Sequence, residues 1–210
     1  MFITFEGIDG SGKSTQMRHL ATWLQEQGQV VETMRDPGGT QVAEQVRALL
    51  LEPTTSLDNR TELFLFAAAR AQLVAERIRP ALQSGRVVLC DRFYDSTTAY
   101  QGGGRNAVPR AWMRSLHKQT TGGLMPTRTY LIDVPVEEAA RRRRGEADDR
   151  MEQEARAFHE RVRTTYQSLA EEEPARICCI DGTQPPTQVQ AAIRTDLQVV
   201  WPSAGAGTPS

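Results

Sequence analysis

Few cysteines, few aromatic residues and no excess charge of either sign leave this chain without the marks of several protein classes. Cys90, Cys178 and Cys179 are too few, and wrongly spaced, for a disulfide framework or a zinc site. Adjacent Cys178 and Cys179 read as strand residues within Arg-Ile-Cys-Cys-Ile, and reduced thiols point to a cytoplasmic protein. Lys and Arg number 25 against 26 Asp and Glu, and a net charge of -1 offers no basic field for nucleic acid or a membrane surface. No run approaches the roughly 18 apolar residues of a membrane span, and a strand starting at Phe2 leaves no room for a signal peptide. No internal repeat is visible. The tail 202–210, made mostly of small residues, reads as disordered because it has too little apolar surface to bury.

What remains is enough chain, 210 residues, for one α/β domain with a substantial core, placed at 1–201. Near its start Gly7, Ile8, Asp9, Gly10, Ser11, Gly12, Lys13, Ser14 and Thr15 fit the pattern G-x-x-x-x-G-K-[ST] without mismatch. Phe2-Ile-Thr-Phe before it favours a strand. After it, Met17, Leu20, Ala21 and Leu24 follow the spacing of an amphipathic helix over about 16–27. The glycines admit turns in which successive N–H groups point inward, and the helix N-terminus behind them adds unpaired donors and a positive dipole end. Lys13 is then expected at the β- and γ-phosphates of a nucleoside triphosphate and Ser14 on Mg²⁺.

Strand and helix patterns alternate along the rest. Strands are expected at about 29–34, 86–92, 129–133 and 176–180, and helices at about 41–51, 60–83, 94–100, 109–120, 137–144, 151–172 and 187–200. Pro80 should kink or shorten the helix at 60–83, and Gly102-Gly-Gly104 should break the one that starts at Tyr94. Phe158, Val162 and Tyr166 lie at core spacing. Such alternation predicts a P-loop NTPase-type three-layer sandwich: a five-stranded parallel sheet, helices on both faces, and the triphosphate at its carboxyl edge.

Several stretches together resemble the bacterial thymidylate kinases, which phosphorylate dTMP with ATP. They are Phe5-Glu-Gly-Ile-Asp-Gly-Ser-Gly-Lys-Ser-Thr15, Asp36-Pro-Gly-Gly-Thr40, Phe66-Ala-Ala-Ala-Arg70, Asp91-Arg92, Ser96-Thr-Thr-Ala-Tyr-Gln-Gly102 and Asp149-Arg-Met-Glu-Gln-Glu154. Their order and spacing run from near Met1 to about Trp201. The resemblance implies ATP and dTMP as substrates, Mg²⁺ on Ser14 and Asp91, and a homodimer. It places Asp9 near the 3′-hydroxyl and metal shell, Asp36 near sugar or phosphate, and Arg92 with Arg47 on the acceptor phosphate. Phe66 is implied to stack on thymine, Arg70 to donate to a ring carbonyl, and Ser96, Thr97 and Gln101 to line the base pocket. Tyr100 is implied to exclude a 2′-hydroxyl.

Without the resemblance, Phe66 and Arg70 read as a core Phe and a surface Arg, Asp91 as a cap, and Arg47 as a solvated side chain. The run Arg141–Arg144 with Arg150 reads either as a solvated helix face or, by resemblance, as a lid over about 141–150. In that lid Arg144 and Arg150 neutralise the transferring phosphate, since position 11 of the loop is Ser and not Arg. The loop from Asp181 to Pro185 is either a plain turn or the border of adenine, and Leu63, Phe64 and Val74 are either core or a dimer face. Two other functions remain open: a kinase for another monophosphate, and a nucleotide-dependent switch.

Overall fold

The computed structural model describes residues 1–143, 150–152 and 154–201. Arg144 and the tail 202–210 therefore lie outside the described residues, as does most of the expected lid. Five parallel strands, β1 (Phe2–Glu6), β2 (Val31–Arg35), β3 (Val87–Asp91), β4 (Arg128–Asp133) and β5 (Ile177–Asp181), form one sheet in the order β2-β3-β1-β4-β5. Its register aligns the strand ends: Asp91 lies beside Phe5 and Arg35, and Asp133 beside Asp181. Four of the five strands thus finish in a carboxylate at the edge where ligands bind such sheets.

Side chains alternate across β1, as strand geometry requires. Ile3 and Phe5 join Leu20 and Leu24 of α1 (Lys13–Glu26) and Ile193 and Leu197 of α9 (Pro186–Val200) on one face. Leu20 is fully buried, so truncating it to Ala would cost about 2–5 kcal/mol. Phe2 faces the opposite layer, where α3 (Asn59–Leu73) runs through a π-helical turn (Val74–Ile78) into α4 (Arg79–Gln83). Beside it, α8 (Arg156–Glu172) supplies Phe158, Val162 and Tyr166. The remaining helices are α2 (Gln41–Leu51), α5 (Tyr94–Thr97), α6 (Arg110–Thr121) and α7 (Val136–Arg142). Among the described residues, no helix is long and apolar enough to cross a membrane.

Three expectations need correction, and one open alternative is resolved. Helix α1 starts at Lys13, three residues early, because Gly12 caps it in the left-handed conformation (φ 93°) with no side-chain cap to mark the place. Helix α8 starts at Arg156, with Met151 and Glu152 in a turn before it. The glycine triplet does not break its helix: α5 continues as a π-helix, Thr98–Gly104, and the missing side chains let α8 approach. A Cβ on Gly104 would lie 2.4 Å from the Phe158 ring. Finally, Leu63 and Val74 are core, whereas Phe64 is half exposed and packs edge-to-face on Trp112 at 5.8 Å.

Candidate active site

The loop after β1 is shaped by steric necessity. Gly7 has φ 138°, and a Cβ there would sit 2.5 Å from the Ile132 carbonyl oxygen, so only glycine fits. Because α1 begins at Lys13, the amides of residues 13–15 belong to a helix's first turn, where no intrahelical acceptor exists. This is the anion-binding geometry expected of the motif. Lys13 is almost buried and donates to Asp9 Oδ1 at 3.0 Å. Ser14 Oγ donates to Asp91 Oδ2 at 2.5 Å, which joins the loop to the end of β3. A hydroxyl beside a carboxylate is a hard-oxygen pair that suits Mg²⁺. Among the described residues no group of three His, Cys, Asp or Glu converges, so an ion here would complete its shell from phosphate and water, as Mg²⁺ commonly does.

Next to this loop a cleft opens between Gly12, Thr15, Arg142 and Gly182–Pro186. Arg142 Nη2 donates to the Gly182 carbonyl at 2.9 Å and Nη1 to that of Ser11 at 3.4 Å, tying α7 to both rims. The 181–185 loop therefore borders the donor side. Its Asp181 carboxylate is turned onto Thr183 and Gln184, whose hydrogen bonds hold its pKa down at about 2.

A second cavity, about 520 Å³ with its open mouth, adjoins Asp9. Asp36, Arg47, Phe66, Arg70, Arg92, Ser96, Thr97, Tyr100 and Gln101 all line it, together with Pro37, Leu51 and Met151. Arg92 sits at φ 71°, an unfavourable backbone for a side-chain-bearing residue, and such strain concentrates at functional sites. Its guanidinium donates to Asp9 (2.7 Å), Ser96 Oγ (3.0 Å), and the hydroxyls of Tyr100 and Tyr166 (3.1 Å each). Burial alone would raise the Asp9 pKa, but the adjacent Arg92 and Lys13 charges outweigh it and hold the carboxyl well below its ordinary range. Asp9 therefore stands ionised between a cation of the loop and a cation of the second cavity.

Deeper in, Arg70 is 1% exposed and paired through Nε with Asp36. Its Nη2 donates to Thr97 Oγ1 at 2.6 Å and to the Phe93 carbonyl at 3.3 Å, while Nη1 is buried with no partner. Asp36, expected near sugar or phosphate, lines the cavity and pairs one carboxylate oxygen with Arg70. Arg47 donates to the Pro37 carbonyl at 3.1 Å. Arg150, expected in the lid, is held elsewhere: Nη2 pairs with Glu62 at 2.6 Å and Nε donates to the Leu50 carbonyl at 2.8 Å.

Sequence reasoning missed Glu6 and took Tyr166 for plain core. Glu6 is fully buried and accepts from Phe93 N–H (2.7 Å), Ser96 Oγ (2.5 Å) and the Tyr166 hydroxyl (2.9 Å). Burial, with Asp95 adding, pushes its pKa up to about 7 against the pull of Arg92. The signal was present: a carboxylate ending a strand with no other charged residue, directly before the loop.

Comparison with known proteins adds an independent line. The family model described as Thymidylate kinase matches residues 5–193. A thymidylate kinase of Desulfovibrio desulfuricans is 48% identical over 216 residues, covering 99% of each chain. One of Symbiobacterium thermophilum is 46% identical over 213 residues, covering 99% of this chain and 98% of its own. The crystal structure of thymidylate kinase from Ehrlichia chaffeensis superposes with a TM-score of 0.77 at 35% identity, covering 94% of this chain and 98% of that one. Matched nearly end to end in sequence and in fold, the chain belongs to the thymidylate kinase family.

Proposed function

We propose that this protein transfers the γ-phosphoryl group of ATP to dTMP, giving dTDP and ADP. The observation that carries the reading is the position of Asp9, 3.0 Å from Lys13 of the phosphate loop and 2.7 Å from Arg92 of the second cavity. Two anion sites that share one carboxylate suit a donor and an acceptor phosphate meeting end to end. Transfer of this kind depends on aligning the two oxygens and spreading charge over fixed cations, with no covalent intermediate.

Lys13 takes the donor phosphates, and Arg92 with Arg47 takes the acceptor phosphate. Asp9 is ionised at neutral pH, so its part is to orient Lys13 and Arg92 and to accept a hydrogen bond from the sugar. Phe66 and Arg70, one helical turn apart, face the base; Thr97 and Gln101 read its edge, and the Tyr100 ring leaves no space for a 2′-hydroxyl. When bound, Mg²⁺ supplies charge neutralisation at the β- and γ-phosphates, and Ser14 and Asp91 are the residues fit to hold it. Arg144 and Arg150 remain the candidates for a closing lid, for which Arg150 would have to leave Glu62.

An ADP-release assay with Mg·ATP and a panel of monophosphates tests the reading. dTMP should outrun AMP, CMP and GMP by orders of magnitude. ATP hydrolysis that ignores dTMP and forms no dTDP would instead mark a nucleotide switch.

The protein is further read as a cytoplasmic homodimer. Phe64 (50% exposed), Trp112 (42%), Leu49 (44%) and Val42 (47%) leave apolar surface on α3 and on α2 and α6, which both pack against it. Sedimentation equilibrium should give a dimer, and Phe64→Lys with Trp112→Lys should give a monomer.

A further inference from the structure

Glu62, Phe66 and Arg70 recur every four residues along α3, so they share one face of that helix. Glu62 lies nearest the N-terminus of α3 in this row and is 1% exposed. Its Oε2 meets Arg150 Nη2 at 2.6 Å and Arg105 Nη2 at 3.3 Å; its Oε1 meets Arg105 Nε at 3.3 Å and Gln101 Nε2 at 2.8 Å. A carboxylate between two guanidinium groups can only accept. It therefore selects the NH₂ end of the Gln101 amide and turns the carbonyl oxygen Oε1 the other way. Reversing the amide would set that carbonyl against the carboxylate and lose a charge-assisted hydrogen bond.

The cavity is also lined by Arg70, whose buried Nη1 has no partner and can only donate. Its wall thus offers one fixed donor and one fixed acceptor. The edge of a 4-oxo-3-NH pyrimidine presents the complement, a carbonyl to receive and an N–H to give. Cytosine presents the reverse at both positions. We propose that Glu62 is a positioning residue for base selection: by locking the Gln101 amide it gives the acceptor cavity the hydrogen-bond polarity of thymine or uracil. The proposal rests on reading that cavity as the pyrimidine site.

The test is the ratio of kcat/KM for dTMP to that for dCMP in wild type and in Glu62→Gln. An amide at position 62 can donate or accept, which frees Gln101 to turn. The variant should show a KM for dTMP raised about tenfold, a dTMP-to-dCMP ratio lowered about tenfold, and a KM for ATP unchanged within about twofold, the size expected for one misdirected hydrogen bond. Equal losses with both monophosphates, leaving the ratio unchanged, would overturn the proposal, because a purely structural carboxylate slows both alike. Should Glu62→Gln not fold, neutron diffraction of the deuterated wild type with dTMP bound reads the amide directly. Amide deuterons directed at Glu62 support the proposal, and amide deuterons directed at the base overturn it. A wild type that does not phosphorylate dTMP would overturn the substrate reading itself, and the assay on unmutated protein separates that failure from this one.

Discussion

On the donor side, one unbroken stretch from Gly7 to Thr15 makes the site largely out of backbone, with Asp9, Lys13 and Ser14 adding their side chains. On the acceptor side, the cavity is walled by side chains from the loops after β1, β2 and β3, from α2, α3, α5 and the π-helix that follows it, and from Met151, and its cations are already paired before any ligand arrives. A backbone cradle is tied to its own stretch of chain, because amides and glycines work in place. A side-chain cradle must bury charge, and each buried charge needs a counter-charge from another segment. The first therefore tolerates loss of a side chain as a matter of rate, whereas the second converts such a loss into instability.

Arg70→Ala should give the largest effect. It strands Asp36, 3% exposed, without its cation, so chemical denaturation should show a loss of about 3–5 kcal/mol, with a raised KM for dTMP in whatever protein remains folded. Removing both partners, Arg70→Met with Asp36→Leu, should recover part of that stability. Lys13→Ala is the counterpart on the donor side. Lys13 leans on Asp9, whose side chain is 30% exposed and keeps Arg92, so stability should change little. Its kcat should fall by about 10²–10³-fold, the usual effect of removing one preorganised charge. If Lys13→Ala unfolded the protein as readily as Arg70→Ala, the contrast would be broken.

The same contrast explains what could be read from the chain. The parallel sheet was legible because its strands are short branched or aromatic runs, Val87-Val-Leu-Cys-Asp91 being one, and parallel strands buried on both faces need nothing else. The phosphate loop was legible because its chemistry is contiguous. Helix starts were less so: α1 and α8 carry no side-chain cap, so nothing marked Lys13 or Arg156. Val74–Ile78 passes through a π-turn inside a helix whose apolar spacing looks continuous. The acceptor residues were named only through family resemblance, since Phe66 and Arg70 alone read as core and surface. Glu6 to Tyr166 spans 160 positions and Arg150 to Glu62 spans 88, and no local pattern announces a pairing across such distances.

Glu6 sharpens the comparison by pH. Its carboxyl titrates near 4.5 when unfolded and at about 7 when folded, so between those values the native state holds a proton that the unfolded state has lost. Stability from this group is complete below about pH 4.5, falls as pH rises toward 7, and is gone above it, a loss on the order of 3 kcal/mol. Asp9 runs the other way, and its contribution fades only as pH drops below 3.8, outside that window. The denaturation midpoint of wild type should therefore decline from pH 5 to pH 8 relative to Glu6→Gln. Parallel pH curves for the two proteins would show that burial does not raise the Glu6 carboxyl as described above.

The smallest effect should come from Thr40→Ala. The Thr40 side chain accepts from Ala43 N–H at 3.1 Å and so caps α2, the helix that carries Arg47 into the acceptor cavity. Loss of such a cap costs about 1 kcal/mol. Because α2 touches the acceptor cavity through Arg47 and Leu51 and contributes nothing to the donor cleft, the looser helix should raise the KM for dTMP a few-fold and leave that for ATP alone. A matching rise in the KM for ATP would mean that the frame of the acceptor side also supports the phosphate loop. The two sites would then be one mechanical unit, and the division between a backbone cradle and a side-chain cradle would hold for their chemistry but not for their stability.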